Sequence, residues 1–192
     1  MFRGSAARFA AVATAVGVVA GSSLVWGGGV ANAAAAAAKS HTVQYTCKIP
    51  VLGTEHVATK LTLSVPSKVS AGSIVKVKVV LQPSGLPAVT ITNVTVKSTL
   101  TVSGAQKGTV NVSAHFASGN SGSLKVDLAG KLKVTKAGTV NISAGSSASF
   151  ALTNSILGKT TLVCSTKSKL PVLGSIKVTK ASGKSSAVLD ER

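Results

Sequence analysis

Cys47 and Cys164 are the only two cysteines in the 192-residue chain. Two thiols this far apart either pair with each other or stay buried and free. Both sit in strand-like runs, T-V-Q-Y-T-C-K-I and T-T-L-V-C-S. Paired, they close a loop spanning 117 positions. Restricting the unfolded chain over that length stabilises a fold by roughly 4 to 5 kcal/mol in the chain-entropy description. Metal binding is poorly served, because His41, His56 and His115 show none of the close ligand spacing that zinc sites use.

The acids are as scarce as the thiols. Glu55, Asp127, Asp190 and Glu191 are the only carboxylates, and the last two lie in the C-terminal tail. Glycoside hydrolysis needs two opposed carboxyl groups, which leaves only Glu55 with Asp127. Asp127 alternates with Val126 and Leu128, so it reads as an outward-facing residue, and Glu55 follows a glycine turn beside His56. The run G-N-S-G at Gly119 to Gly122 resembles the serine neighbourhood of trypsin-like proteases. A Ser/Gly turn is the simpler reading, and no G-x-S-x-G elbow occurs. Phosphate-binding and dinucleotide-binding glycine motifs are missing from the sequence too, so no cofactor is implied. The chain reads as non-catalytic; the alternative is a secreted enzyme, an enzyme inhibitor or an accessory module of a hydrolase.

Lysine is the strongest chemical signal. Lys and Arg total 21 against 4 Asp and Glu, a formal charge of +17. Lysines alternate with apolar residues at Lys76 and Lys78 and at Lys131 and Lys133, and Lys167 and Lys169 have the same spacing around Ser168. That spacing lays basic stripes on outward strand faces. Two roles fit. Lysine on exposed or edge strands prevents sheet-to-sheet association; a basic face also attracts a polyanion such as an anionic cell-wall polymer, with Lys76, Lys78, Lys131 and Lys133 as the contact residues. Sequence-specific nucleic-acid readout is disfavoured. Base contacts favour Arg and single-strand binding favours aromatic platforms, whereas after residue 33 the chain has one Arg and three aromatic residues, Tyr45, Phe116 and Phe150.

The elements that must position these residues are strands. Leu61, Leu63 and Val65 alternate with Lys60, Thr62 and Ser64, and Val75, Val77, Val79 and Leu81 alternate with Lys76, Lys78 and Val80. The same two-residue period recurs at Val110 and Val112, Leu124 to Leu128, Leu132 and Val134, and Val140 and Ile142. Glycine, serine, asparagine and proline separate the runs. The expectation is an all-β fold, an immunoglobulin-like antiparallel β-sandwich in a single domain over residues 41–180. The P-V-L-G echo at Pro50 to Gly53 and Pro171 to Gly174 suggests two loops that the cysteine bridge brings together at one end.

Before the strands, residues 1–33 have the three regions of a signal peptide in order. Arg3 and Arg8 are basic, Phe9 to Trp26 is apolar, and Ala31-Asn32-Ala33 is a small-x-small cleavage pattern. A retained membrane anchor is the competing reading; the stretch is close to the minimum spanning length but rich in Ala and Gly. Cleavage after Ala33 removes both arginines and leaves a charge of +15. Residues 34–40 then form a flexible leader and residues 181–192 a flexible tail. No later apolar run is long enough to span a membrane. The product is expected to be secreted, in contact with the cell wall or free, and its oxidising surroundings favour the disulfide.

The run Y-T-C-K-I-P-V-L-G from Tyr45 to Gly53, S-V-P at Ser64 to Pro66, the strand A-G-S-I-V-K-V and the late Cys164 resemble a family of secreted actinobacterial β-domains of unknown function. The resemblance implies an exported disulfide-containing β-domain at the envelope of a high-GC Gram-positive bacterium. It carries over no catalytic residue, and the lysine load of this chain departs from it.

Overall fold

The computed structural model describes residues 39–49, 53–86, 88–154 and 158–181. The expected signal peptide, most of the leader and the tail beyond Ala181 lie outside the described residues. Eleven strands follow in chain order: β1 (Ser40–Ile49), β2 (Gly53–Ser64), β3 (Lys68–Ser70), β4 (Ile74–Ser84), β5 (Thr90–Gly104), β6 (Gly108–Asn120), β7 (Val126–Lys133), β8 (Gly138–Ser143), β9 (Ser147–Asn154), β10 (Gly158–Ser165) and β11 (Val172–Thr179). Among the described residues there is no α-helix, only the single 3-10 turn Ser121–Ser123. The two-residue period sorts each strand into a buried and an exposed face. On β4, Val75, Val77, Val79 and Leu81 are buried while Lys76 and Lys78 are exposed.

Strand pairing departs from the two separate sheets of a sandwich. All eleven strands join one hydrogen-bonded sheet, and eight of them close into a ring. Antiparallel pairings run from β5 to β6, β7, β4, β2, β1, β10 and β9, and β9 returns to β5. Sheet closure removes the exposed edges that a free strand would offer to another chain. β5 makes this possible because it forks. Its first half, Ile91 to Ser98, pairs with β9, and its end, Thr101 to Gly104, pairs with β8. From β8 the sheet continues through antiparallel β11 to the short parallel strand β3.

The fork rests on one close approach. A Cβ at Gly145 would lie 2.2 Å from the Thr99 carbonyl oxygen, so the β8–β9 connection passes β5 at a distance only glycine permits. Beyond the fork, β11 lies against β2: a Cβ at Gly174 would sit 3.0 Å from Leu63 Cδ2. This half is filled with large side chains, and Leu128, Ile142, Leu173 and Ile176 are all essentially inaccessible to water. The P-V-L-G expectation fails here. Gly174 packs on Leu63, ten positions along β2 from Gly53, which is roughly 33 Å of extended strand. Pro50 to Leu52 are outside the described residues.

Candidate functional site

Two arrangements could bind something, and they lie in different halves of the barrel. Alternation alone places Lys76 and Lys78 on one face of β4, and Lys131 and Lys133 on one face of β7. Tertiary pairing then sets the two strands side by side. Lys76 is directly opposite Lys131, Lys133 opposite Ile74, and Lys78 opposite Ala129. All four lysines are exposed, as is every other lysine among the described residues. A second like-charged pair, Lys68 opposite Lys177, joins β3 to β11. Among the described residues no carboxylate lies within ion-pairing distance of these lysines; Asp127, on the outer face of β7, is opposite Val80. Directly opposed like charges destabilise a sheet by a few tenths of a kcal/mol or more. The face therefore carries uncompensated positive charge at some cost to the fold.

The second arrangement is a cavity of about 380 Å³ inside the barrel. It sits at the end where β1, β4, β6 and β9 finish and β2, β5, β7 and β10 begin, and it is partly open to solvent. Side-chain size explains it. The inward positions at this level include Cys47, Thr59, Ser121, Ala148 and Cys164, whereas the other half of the barrel has Leu, Ile and Val at inward positions. Natural cores leave few voids larger than a water molecule.

Tyr45 and the disulfide set the walls. The Tyr45 hydroxyl donates to the Gly145 carbonyl at 2.8 Å, so the ring spans from β1 to the fork and forms part of the cavity lining. Burial pushes its pKa up to about 12. Cys47 and Cys164 are bonded to each other, and both line the cavity. They are directly opposite in the β1–β10 pairing, which holds only three residue pairs against ten for β1–β2. The bridge staples the narrowest join on that side of the ring.

Polar groups in the cavity are few. Ser121 is fixed by Val89: the Val89 N–H donates to Ser121 Oγ at 3.0 Å, and Ser121 Oγ donates to the Val89 carbonyl at 3.2 Å. Asn120 Oδ1 accepts from the Gly122 N–H at 2.9 Å and caps the 3-10 turn. The G-N-S-G segment is therefore a turn that closes one side of the cavity. Thr59 sits at an inward position of β2 between Val57 and Leu61, 5% exposed, and makes no hydrogen bond to another described residue through its hydroxyl. No charged side chain lines the cavity.

The remaining candidates are not brought together. Glu55 and His56 are exposed near the start of β2, and Asp127 is exposed on β7, with β4 between the two strands. His56 Nδ1 lies 3.3 Å from Thr46 Oγ1, and His115 Nδ1 lies 3.1 Å from Thr95 Oγ1, both on the outer surface. Among the described residues no group of three or more His, Cys, Asp or Glu could hold a metal ion. No described helix is long and apolar enough to cross a membrane.

Comparison with protein-family models, with curated proteins and with solved structures finds no match. Sequence reasoning missed the cavity, although it left a trace: Thr59 occupies an inward position of V-A-T-K-L-T-L, whose other inward residues, Val57, Leu61 and Leu63, are aliphatic.

Proposed function

We propose that the protein is an exported, non-catalytic β-barrel protein of a bacterial cell envelope, and that it binds an anionic polymer through Lys76, Lys78, Lys131 and Lys133. The observation that carries this reading is the register of β4 against β7, which sets Lys76 directly opposite Lys131 on an exposed face. A face built only for solubility is better served by spreading its charges; here two lysines are held side by side at an energetic cost. Lysine is a hydrated point charge without a planar fork, so this contact selects charge density rather than a particular sugar or base. The signal-peptide pattern in residues 1–33, the disulfide and the resemblance to secreted actinobacterial β-domains support export. The layered half, where β11 lies on β2, is the part of the chain that an immunoglobulin-like sandwich describes.

Binding of purified wall polymer, teichoic acid for example, tests the reading. Affinity should fall steeply with added salt, because neutralising several phosphates releases counterions. A variant with all four lysines changed to Gln should keep the fold and lose most of the affinity. Salt-insensitive binding, or unchanged affinity in that variant, returns the lysines to a solubility role.

A further inference from the structure

We propose that the barrel cavity is a binding site for one uncharged hydrocarbon group of about 15 non-hydrogen atoms carrying at most one hydroxyl, supplied by a free neutral lipid or by the tail of an amphiphile. This site is independent of the lysine face, and neither needs the other. An eight-stranded barrel has an interior wide enough to be filled by side chains or to hold one small ligand. Here the packed half takes the first course and the cavity the second. The volume of about 380 Å³ falls in the range of small-molecule sites. Scaled from benzene in a cavity of about 150 Å³, it accommodates roughly 15 heavy atoms, which is one chain and not two.

The lining sets the chemistry. Ile49, Val57, Leu81, Phe150, Leu152 and Leu162 supply an apolar wall. Burying an ionised group among such side chains without a partner is strongly unfavourable, and the lining has no charged side chain to serve as one. The Ser121 hydroxyl is engaged with Val89. Thr59 is then the side-chain hydroxyl that a bound alcohol can reach. Because the cavity is partly open, a charged head group can stay in water at the mouth while its tail enters.

The test uses the neutral dye N-phenyl-1-naphthylamine, whose fluorescence rises in apolar surroundings, with the purified disulfide-bonded protein. Saturable enhancement at one dye per chain is expected, with displacement by dodecanol. Dodecylphosphocholine is the second competitor. Displacement by both assigns the site to hydrocarbon tails in general, and displacement by dodecanol alone assigns it to free neutral lipids. Ala148→Phe places a ring in the cavity, and Leu162→Trp adds bulk from the neighbouring strand β10. Each should weaken dye binding at least tenfold while circular dichroism keeps the strand spectrum. Thr59→Val should weaken dodecanol several-fold and leave the dye unaffected. The four-lysine variant should bind the dye like the parent chain, so failure of the polymer reading cannot be mistaken for failure of this one. No saturable enhancement by the folded parent chain, or undiminished binding in folded Ala148→Phe or Leu162→Trp, overturns the proposal.

Discussion

Tyr45 is the one tyrosine in the chain, which makes its state directly readable. Its ring is 5% exposed, its hydroxyl donates to Gly145, and burial holds its pKa at about 12. An unfolded tyrosine ionises near pH 10. The raised folded value means that this contribution to stability is complete below pH 10 and is lost as pH rises towards 12. Two units correspond to roughly 2 to 3 kcal/mol. The tyrosinate absorbance of the native protein is therefore expected to rise near pH 12 and together with loss of the strand spectrum. Tyr45→Phe should lower stability at neutral pH by about 1 to 3 kcal/mol, because the buried Gly145 carbonyl loses its tyrosine donor. The same variant should be less sensitive to pH between 10 and 12. Every other side chain is common to both proteins, so the difference between them isolates Tyr45. A native titration midpoint near 10 with the fold intact would show a ring open to water.

Ring closure is decided by its two narrowest joins, β1–β10 with three residue pairs and β6–β7 with two. The first is covalently bridged; the second relies on Gly130, where a Cβ would lie 2.4 Å from the Asn111 carbonyl oxygen. Replacing both cysteines by serine is expected to lower stability by roughly 5 kcal/mol, from the freedom returned to a loop of 117 residues. Amide exchange should then accelerate in β1 and β10 more than in the long β5–β6 hairpin. Equal denaturation midpoints for the bridged chain and the serine variant would remove the staple role. Strands were legible in the sequence because alternation is local: Val75 to Leu81 announces both the inward and the outward face of β4. Neighbours were not, because period two says which way a side chain points and nothing about which strand lies beside it. The Lys76–Lys131 pair needed the tertiary register, and so did the forked partnership of β5. Asn93 hid a further feature. Its positive φ of 50° coincides with the break in β5–β9 register between Thr92 and Thr95, after which Val94 and Val96 point inward in step with Ile91. An asparagine tolerates that conformation, and its one trace in the run I-T-N-V-T-V is the shift of apolar parity between Ile91 and the pair Val94 and Val96. The cavity was illegible for a related reason. Hydrophobic patterning reports that a position is inward, whereas the space is set by summed side-chain volumes across strands distant in sequence.

At the scale of the whole molecule, the exposed lysines tie both the stability of the fold and the capture of an anionic polymer to salt, with opposite signs. The chain has a formal charge of +17, and among the described residues its lysines are all exposed; two pairs of them, Lys76 with Lys131 and Lys68 with Lys177, are direct cross-strand neighbours. Their mutual repulsion exists in the folded sheet and is relaxed when the chain unfolds, so screening it stabilises the fold. Each opposed pair amounts to about 0.2 to 1 kcal/mol, and the diffuse repulsion among the remaining lysines adds to that. Raising salt from low to physiological strength is therefore expected to increase the thermal midpoint by a few degrees, while the same salt weakens capture of an anionic polymer. Dye binding in the cavity should change little, because the occupant is uncharged. The variant with Lys76, Lys78, Lys131 and Lys133 changed to Gln separates these effects. It should melt higher than the parent at low salt and gain less from added salt. Thermal melts of the two proteins at several salt concentrations decide the matter: parallel salt curves would mean that the opposed lysines are too well hydrated to sense each other, and that their register carries no energetic penalty for a ligand to relieve.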